Sequence, residues 1–124
     1  MKRLLFMNLL LLVLMWGLAG CSNNPKTAEQ YIPVGTYVMH ESKEPLKPFV
    51  SLKDSNKYTF TYSGLSSYLA IGSYEENDGN LILNTDDGKF KYVFKIKERT
   101  LVFKAKESSE MPSFANVPDG AIFE

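Results

Sequence analysis

The chain has 124 residues with one cysteine, one histidine and one tryptophan, and its 14 Lys and Arg side chains balance 14 Asp and Glu. That balance excludes a protein that tracks nucleic-acid phosphates. A single cysteine excludes an internal disulfide framework, and the length suits one small hydrophobic core.

The first element is a leader. Met1, Lys2 and Arg3 are followed by an apolar run from Leu4 to Leu18, and Leu18, Ala19 and Gly20 shorten the side chains before Cys21. This is the order of a secretory signal peptide with its cleavage site. An apolar run of about 15 residues is short for a membrane span, which needs about 20, and the polar SNNPKT after Cys21 is no basic stop-transfer flank.

The tetrad Leu18-Ala19-Gly20-Cys21 resembles the lipobox of bacterial lipoproteins. The resemblance implies cleavage between Gly20 and Cys21, a diacylglyceryl group on Cys21 Sγ, and a protein on the extracytoplasmic face of the cell membrane. One acyl chain anchors only marginally, whereas two hold stably. The expected organisation is therefore a leader over 1–20, a lipidated tether over 21–30 and one domain over 31–124. Lys2 and Arg3 leave with the leader, so 14 basic side chains become 12 against 14 acidic ones. Residues 22–30, SNNPKTAEQ, are polar and contain Pro25, and they would reach at most about 30 Å from the bilayer.

From Val34 onward the pattern alternates with the period of a strand. In KYTFTYS, Tyr58, Phe60 and Tyr62 share one face; in KFKYVFKIK, Phe90, Tyr92, Phe94 and Ile96 face away from Lys89, Lys91, Val93, Lys95 and Lys97. A face bearing that many lysines must be solvated. Leu81 and Leu83, then Leu101 and Phe103, continue the alternation. Strands are expected at roughly 34–39, 48–53, 57–63, 67–75, 80–85, 89–97 and 100–105, with a short closing strand at 120–123. Turn residues separate them at Asp54-Ser55-Asn56, Asn77-Asp78-Gly79-Asn80, Asp86-Asp87-Gly88 and Lys97-Glu98-Arg99. Tight turns make sequential strands antiparallel neighbours. The expected fold is an all-β antiparallel meander that closes into a small lipocalin-like barrel or a strongly curved sheet. The inward aromatics favour a filled interior, and SGLSSYLAIGS, Ser63 to Ser73, is the irregular stretch.

The segments FVSLKDSNKYTFTYSGLSSYLAIGSYE, LILNTDDGKFKYVFKIK and VPDGAIFE together resemble a small extracytoplasmic β-domain of Gram-positive bacteria. That domain occurs in free lipoproteins and at the C-terminal end of some membrane metallopeptidases of the β-lactam-response regulator type. The resemblance spans about Val34 to Glu124 and implies a shared fold and a cell-envelope setting, without an activity.

Catalytic chemistry is not expected. Zinc peptidases place HExxH on a helix, but the single histidine lies in HESKE, His40 to Glu44, with glutamate in place of the second histidine. A penicillin-binding acylation site needs Ser-x-x-Lys with Ser-Asp-Asn and Lys-Thr-Gly, which the sequence lacks. Glu75, Glu76, Asp78, Asp86 and Asp87 have the spacing of hairpin turns rather than of an EF-hand, so neither metal nor cofactor is expected. Lys89, Lys91, Lys95 and Lys97, with Lys104 and Lys106, form a basic face suited to anionic lipid or polymer. Tyr68 and Tyr74 could serve as sugar platforms once Trp16 leaves with the leader.

The functional expectation is a non-enzymatic binding, accessory or sensory module of the envelope. Its expected partners are the membrane, through Cys21, and an envelope protein or polymer. The alternative is a lipocalin-like carrier whose small apolar ligand is lined by Phe60, Tyr62, Phe90 and Phe94.

Overall fold

The computed structural model describes residues 31–124, so the expected leader, the Gly20/Cys21 cleavage and lipidation site, and the 21–30 tether lie outside the described residues. Eight antiparallel strands follow one another in space as they do in sequence. They are β1 (Gly35–Val38), β2 (Phe49–Lys53), β3 (Lys57–Thr61), β4 (Ala70–Asn77), β5 (Asn80–Thr85), β6 (Lys91–Lys97), β7 (Thr100–Phe103) and β8 (Ile122–Phe123). The two edges of the sheet meet where Val38 and Glu124 exchange reciprocal backbone hydrogen bonds, each 3.0 Å long. This is the pattern of one antiparallel hydrogen-bonded pair, and it turns the curved meander into a small barrel.

Alternation places the aromatics inside. Tyr58, Phe60, Tyr92, Phe94, Ile96, Leu81, Leu83, Leu101 and Phe123 are all at most 2 % exposed. Phe60 sits at the centre of a ring cluster, meeting Tyr92 at 5.2 Å, Phe94 at 5.5 Å, Tyr62 at 5.8 Å and Phe123 at 6.1 Å, each edge to face. Phe94 meets Phe103 and Phe123, both at 5.3 Å. Such pairs contribute about 0.5–1.5 kcal/mol each beyond the area they bury.

Small residues in β4 make room for these rings. Ala70 and Gly72 point inward beside Phe60 and Tyr58 respectively. At Gly72 the β5 backbone comes so close that an added Cβ would lie 2.0 Å from the Asn84 carbonyl oxygen.

The closed and open ends of the barrel follow from the meander. At one end the chain turns tightly through Asp54–Asn56, Asp78-Gly79 and Glu98-Arg99. Ser55, Asn56, Asp78 and Glu98 there all adopt positive φ, between 56° and 61°. The chain also enters the barrel at this end, where Ile32 is buried and donates its N–H to Glu76 Oε1 at 3.1 Å. The Tyr37 hydroxyl donates to the Pro33 carbonyl at 2.5 Å. The longer links 39–48, 62–69, 86–90 and 104–121 gather at the opposite end.

The last of these links departs from the expected solvated lysine face. After β7 the chain bulges through a single 3-10 turn, Ala105–Glu107, and then returns to β6. Ser108 Oγ accepts the Val93 N–H at 2.8 Å, Ser109 Oγ accepts the Lys91 N–H at 2.9 Å, and the Ser109 N–H donates to the Lys91 carbonyl at 2.7 Å. The two hydroxyls thus stand in for strand carbonyls on an otherwise unpaired stretch of β6. Val93, on the lysine-bearing side of its strand, is buried at 4 % exposure.

Candidate functional site

At the open end a groove of about 520 Å³ is formed by Tyr62, Tyr68, Phe90, Tyr92, Met111 and Pro112 with Lys89 and Glu110 at its rim. Four segments build it. The β3 extension supplies Tyr62, the 62–69 link supplies Tyr68, and β6 with its preceding turn supplies Phe90 and Tyr92. The 104–121 link closes one wall with Met111 and Pro112, fixed in place by the serine bonds to β6.

The rings form a contiguous strip. Tyr68 meets Phe90 at 5.2 Å and 64°, Phe90 runs nearly parallel to Tyr92 at 6.4 Å and 13°, and Tyr92 meets Tyr62 at 6.3 Å.

Asp87 organises the floor of this end. Its Oδ1 accepts the Thr85 hydroxyl at 2.6 Å and the Lys89 N–H at 3.0 Å, while Oδ2 accepts the Tyr68 hydroxyl at 2.7 Å. These donors, Thr85 first, hold its carboxyl well below the usual carboxylate range, at about 2. Asp87 is therefore an anion throughout the physiological range. Ser66 fixes the neighbouring link by donating to the Tyr68 carbonyl at 3.0 Å, while its Oγ accepts from the Tyr62 hydroxyl at 3.2 Å.

In the barrel interior Tyr58 is 2 % exposed, and its hydroxyl has no hydrogen-bond partner among the described residues. Burial pushes this phenol far above its usual range, and the charges of Tyr92, Tyr68, Asp86 and Asp87 push it further. Burial likewise raises Tyr92, with Tyr62, Tyr68 and Asp87 adding to the effect. Both stay neutral. Leaving a buried hydroxyl unpaired costs about 1–3 kcal/mol.

The four residues expected to line a ligand site divide into two pairs. Tyr62 and Phe90 line the groove, Phe90 half-buried and Tyr62 4 % exposed at the edge of the ring cluster, whereas Phe60 and Phe94 are 1 % and 0 % exposed and lie inside that cluster. The filled interior displaces the candidate site from the centre of the barrel to its mouth. Of the two tyrosines considered as platforms, Tyr68 lies on the groove, while Tyr74 is in β4 toward the closed end. Met111 and Pro112 carry no strand periodicity, and sequence reasoning missed both.

His40 stands apart, with its Nε2 3.2 Å from the Glu124 carbonyl oxygen in an exposed position. Glu75, Glu76, Asp78, Asp86 and Asp87 do not converge, and no group of three potential metal ligands occurs among the described residues. Lys104 pairs with Glu107 at 2.7 Å, so part of the expected basic face is neutralised. Comparison of the chain with protein-family models, curated proteins and solved structures found no match.

Proposed function

We propose that this protein is a membrane-anchored extracytoplasmic lipoprotein, non-enzymatic, that serves the cell envelope as a binding or accessory module. The observation that carries the reading is the position of the aromatic groove, at the end of the barrel opposite the one where the chain enters. A barrel tethered through Cys21 by a polar link of up to about 30 Å would leave the groove, at the end away from the link, free to meet envelope partners. The LAGC tetrad supports the anchor, and the resemblance to the appended β-domain supports the envelope setting. The open end also carries the exposed Leu46, Leu65, Leu69 and Phe114, which suits a contact surface.

A photo-crosslinking residue placed at Leu65 and, separately, at Asp78 in intact cells tests the reading. Adducts are expected at Leu65 and not at Asp78; equal labelling at the two ends, or none at Leu65, would overturn it. Labelling with a fatty-acid analogue tests the anchor, and it should disappear in Cys21→Ser. The carrier reading keeps one specific support, that Tyr62 and Phe90 line the groove, and it now places the ligand at the mouth.

A further inference from the structure

We infer that the open-end groove binds a small organic cation, a quaternary or protonated ammonium, against its aromatic strip. The inference deepens the binding role proposed above and rests on it. Two observations converge on this ligand class.

In the strip the half-buried Tyr68 and Phe90 offer ring faces with negative quadrupoles, which attract cations most when water is excluded, and the buried Tyr62 and Tyr92 pack behind them. Tyr68 is a strong member of it, because its hydroxyl donates to ionised Asp87 at 2.7 Å and the carboxylate pushes electron density back toward the ring. The fixed charges have the complementary sign. Lys89 and Glu110 balance on the lining, and the Asp87 carboxylate bound to the Tyr68 hydroxyl leaves the groove with a net negative charge. An anionic ligand would meet this acidic surround, and a neutral one would gain nothing from it.

The proposed occupant is a free solute, and the vesicle arm of the test below separates it from a headgroup of the protein's own bilayer.

The test titrates the full-length protein, in a maltoside detergent, with choline and with its neutral isostere 3,3-dimethylbutan-1-ol, and follows the ring proton shifts of Tyr68, Phe90 and Tyr92. Choline is expected to bind about tenfold tighter than the isostere. Phe90→Leu should weaken choline severalfold, and Lys89→Gln should tighten it. Glu110→Gln, an exposed change on the rim, serves if Phe90→Leu fails to fold, and it should weaken choline without affecting the isostere. Equal or tighter binding of the isostere overturns the cation inference and leaves the groove a binding site. Shifts from neither probe overturn the inference, as does a response to phosphatidylcholine vesicles without one to free choline. The crosslinks at Leu65 decide the underlying reading independently.

Discussion

At the closed end of the barrel, strands are joined by two or three residues and the backbone accepts positive φ at four non-glycine positions. At the open end, links run to 18 residues and are held by side chains, among them Asp87, Ser66, Ser108 and Ser109. The turns of the closed end are fixed by backbone geometry, so their side chains are free to vary, while Glu76 and Tyr37 hold only the entering chain. The open end is fixed by particular hydroxyls and a carboxylate, so its side chains carry both shape and chemistry. This division of labour lets one rigid β-scaffold present an unrelated binding surface.

The largest effect should come from Gly72→Ala, which breaks both ends together. A methyl placed 2.0 Å from the Asn84 carbonyl oxygen forces β4 and β5 apart. The expected loss is about 4 kcal/mol or more, read from urea unfolding. Survival of either end alone, seen as retained Tyr68 or Ile32 chemical shifts, would show that the ends fold independently.

Next in size is Ser108→Ala combined with Ser109→Ala. The change leaves the Val93 and Lys91 N–H groups without their side-chain acceptors, at about 1–3 kcal/mol for a buried donor and less at exposed Lys91. Amide exchange at Val93 should accelerate while Ile96, near the closed end of the same strand, keeps its protection. Uniform acceleration along β6 would erase the distinction between the ends.

Acid sharpens the comparison further. Asp87 titrates lower in the folded protein than its ordinary value, so its contribution is complete above about pH 4 and is lost as pH falls toward about 2. Over that window the Tyr68 ring should lose its restraint before the closed end responds. Asp87→Asn should flatten the dependence, measured as unfolding midpoints between pH 2 and 5.

The smallest effect belongs to the closed end. Glu98 holds φ at 59°, a conformation that costs an ordinary residue about 1–2 kcal/mol, part of which glycine would return as lost chain entropy. Glu98→Gly should therefore stabilise by about 0.5 kcal/mol, seen as a small rise in Tm, and leave choline titrations unchanged.

Most of the scaffold was legible in the sequence, because alternation and turn chemistry are local. Phe60 and Phe94 read as inward residues and are buried, and 120–123 reads as the closing strand that β8 and its neighbours form. The misplaced boundaries share a cause. Strand β3 ends at Thr61 and not at 63 because Ser63 Oγ accepts the Leu65 N–H at 3.1 Å and starts a turn. Strand β4 begins at Ala70 and not at 67 because Ser66 Oγ accepts the Tyr68 N–H at 3.2 Å. A hydroxyl in a β-like pattern carries no sign of whether it faces solvent or captures backbone.

The groove was legible by half. Tyr62 and Phe90 carry strand periodicity, whereas Met111 and Pro112 reach the site through an irregular link whose path depends on β6, many residues earlier. The burial of Val93 has the same origin, since only the returning link makes a lysine-side valine a core residue.

The reciprocal pair between Val38 and Glu124 has a kinetic meaning as well as an architectural one. Every other pairing in the sheet joins neighbours in the sequence and forms by local search, but this seam must wait until seven strands are in place. Formed last and held by few bonds, it is the line along which the native barrel should part first, well short of global unfolding. Two molecules parted there present complementary free edges, and at high concentration each can be completed by the other's β8. The step that turns the sheet into a barrel is thus also the route by which a monomer would exchange its last strand for a copy's.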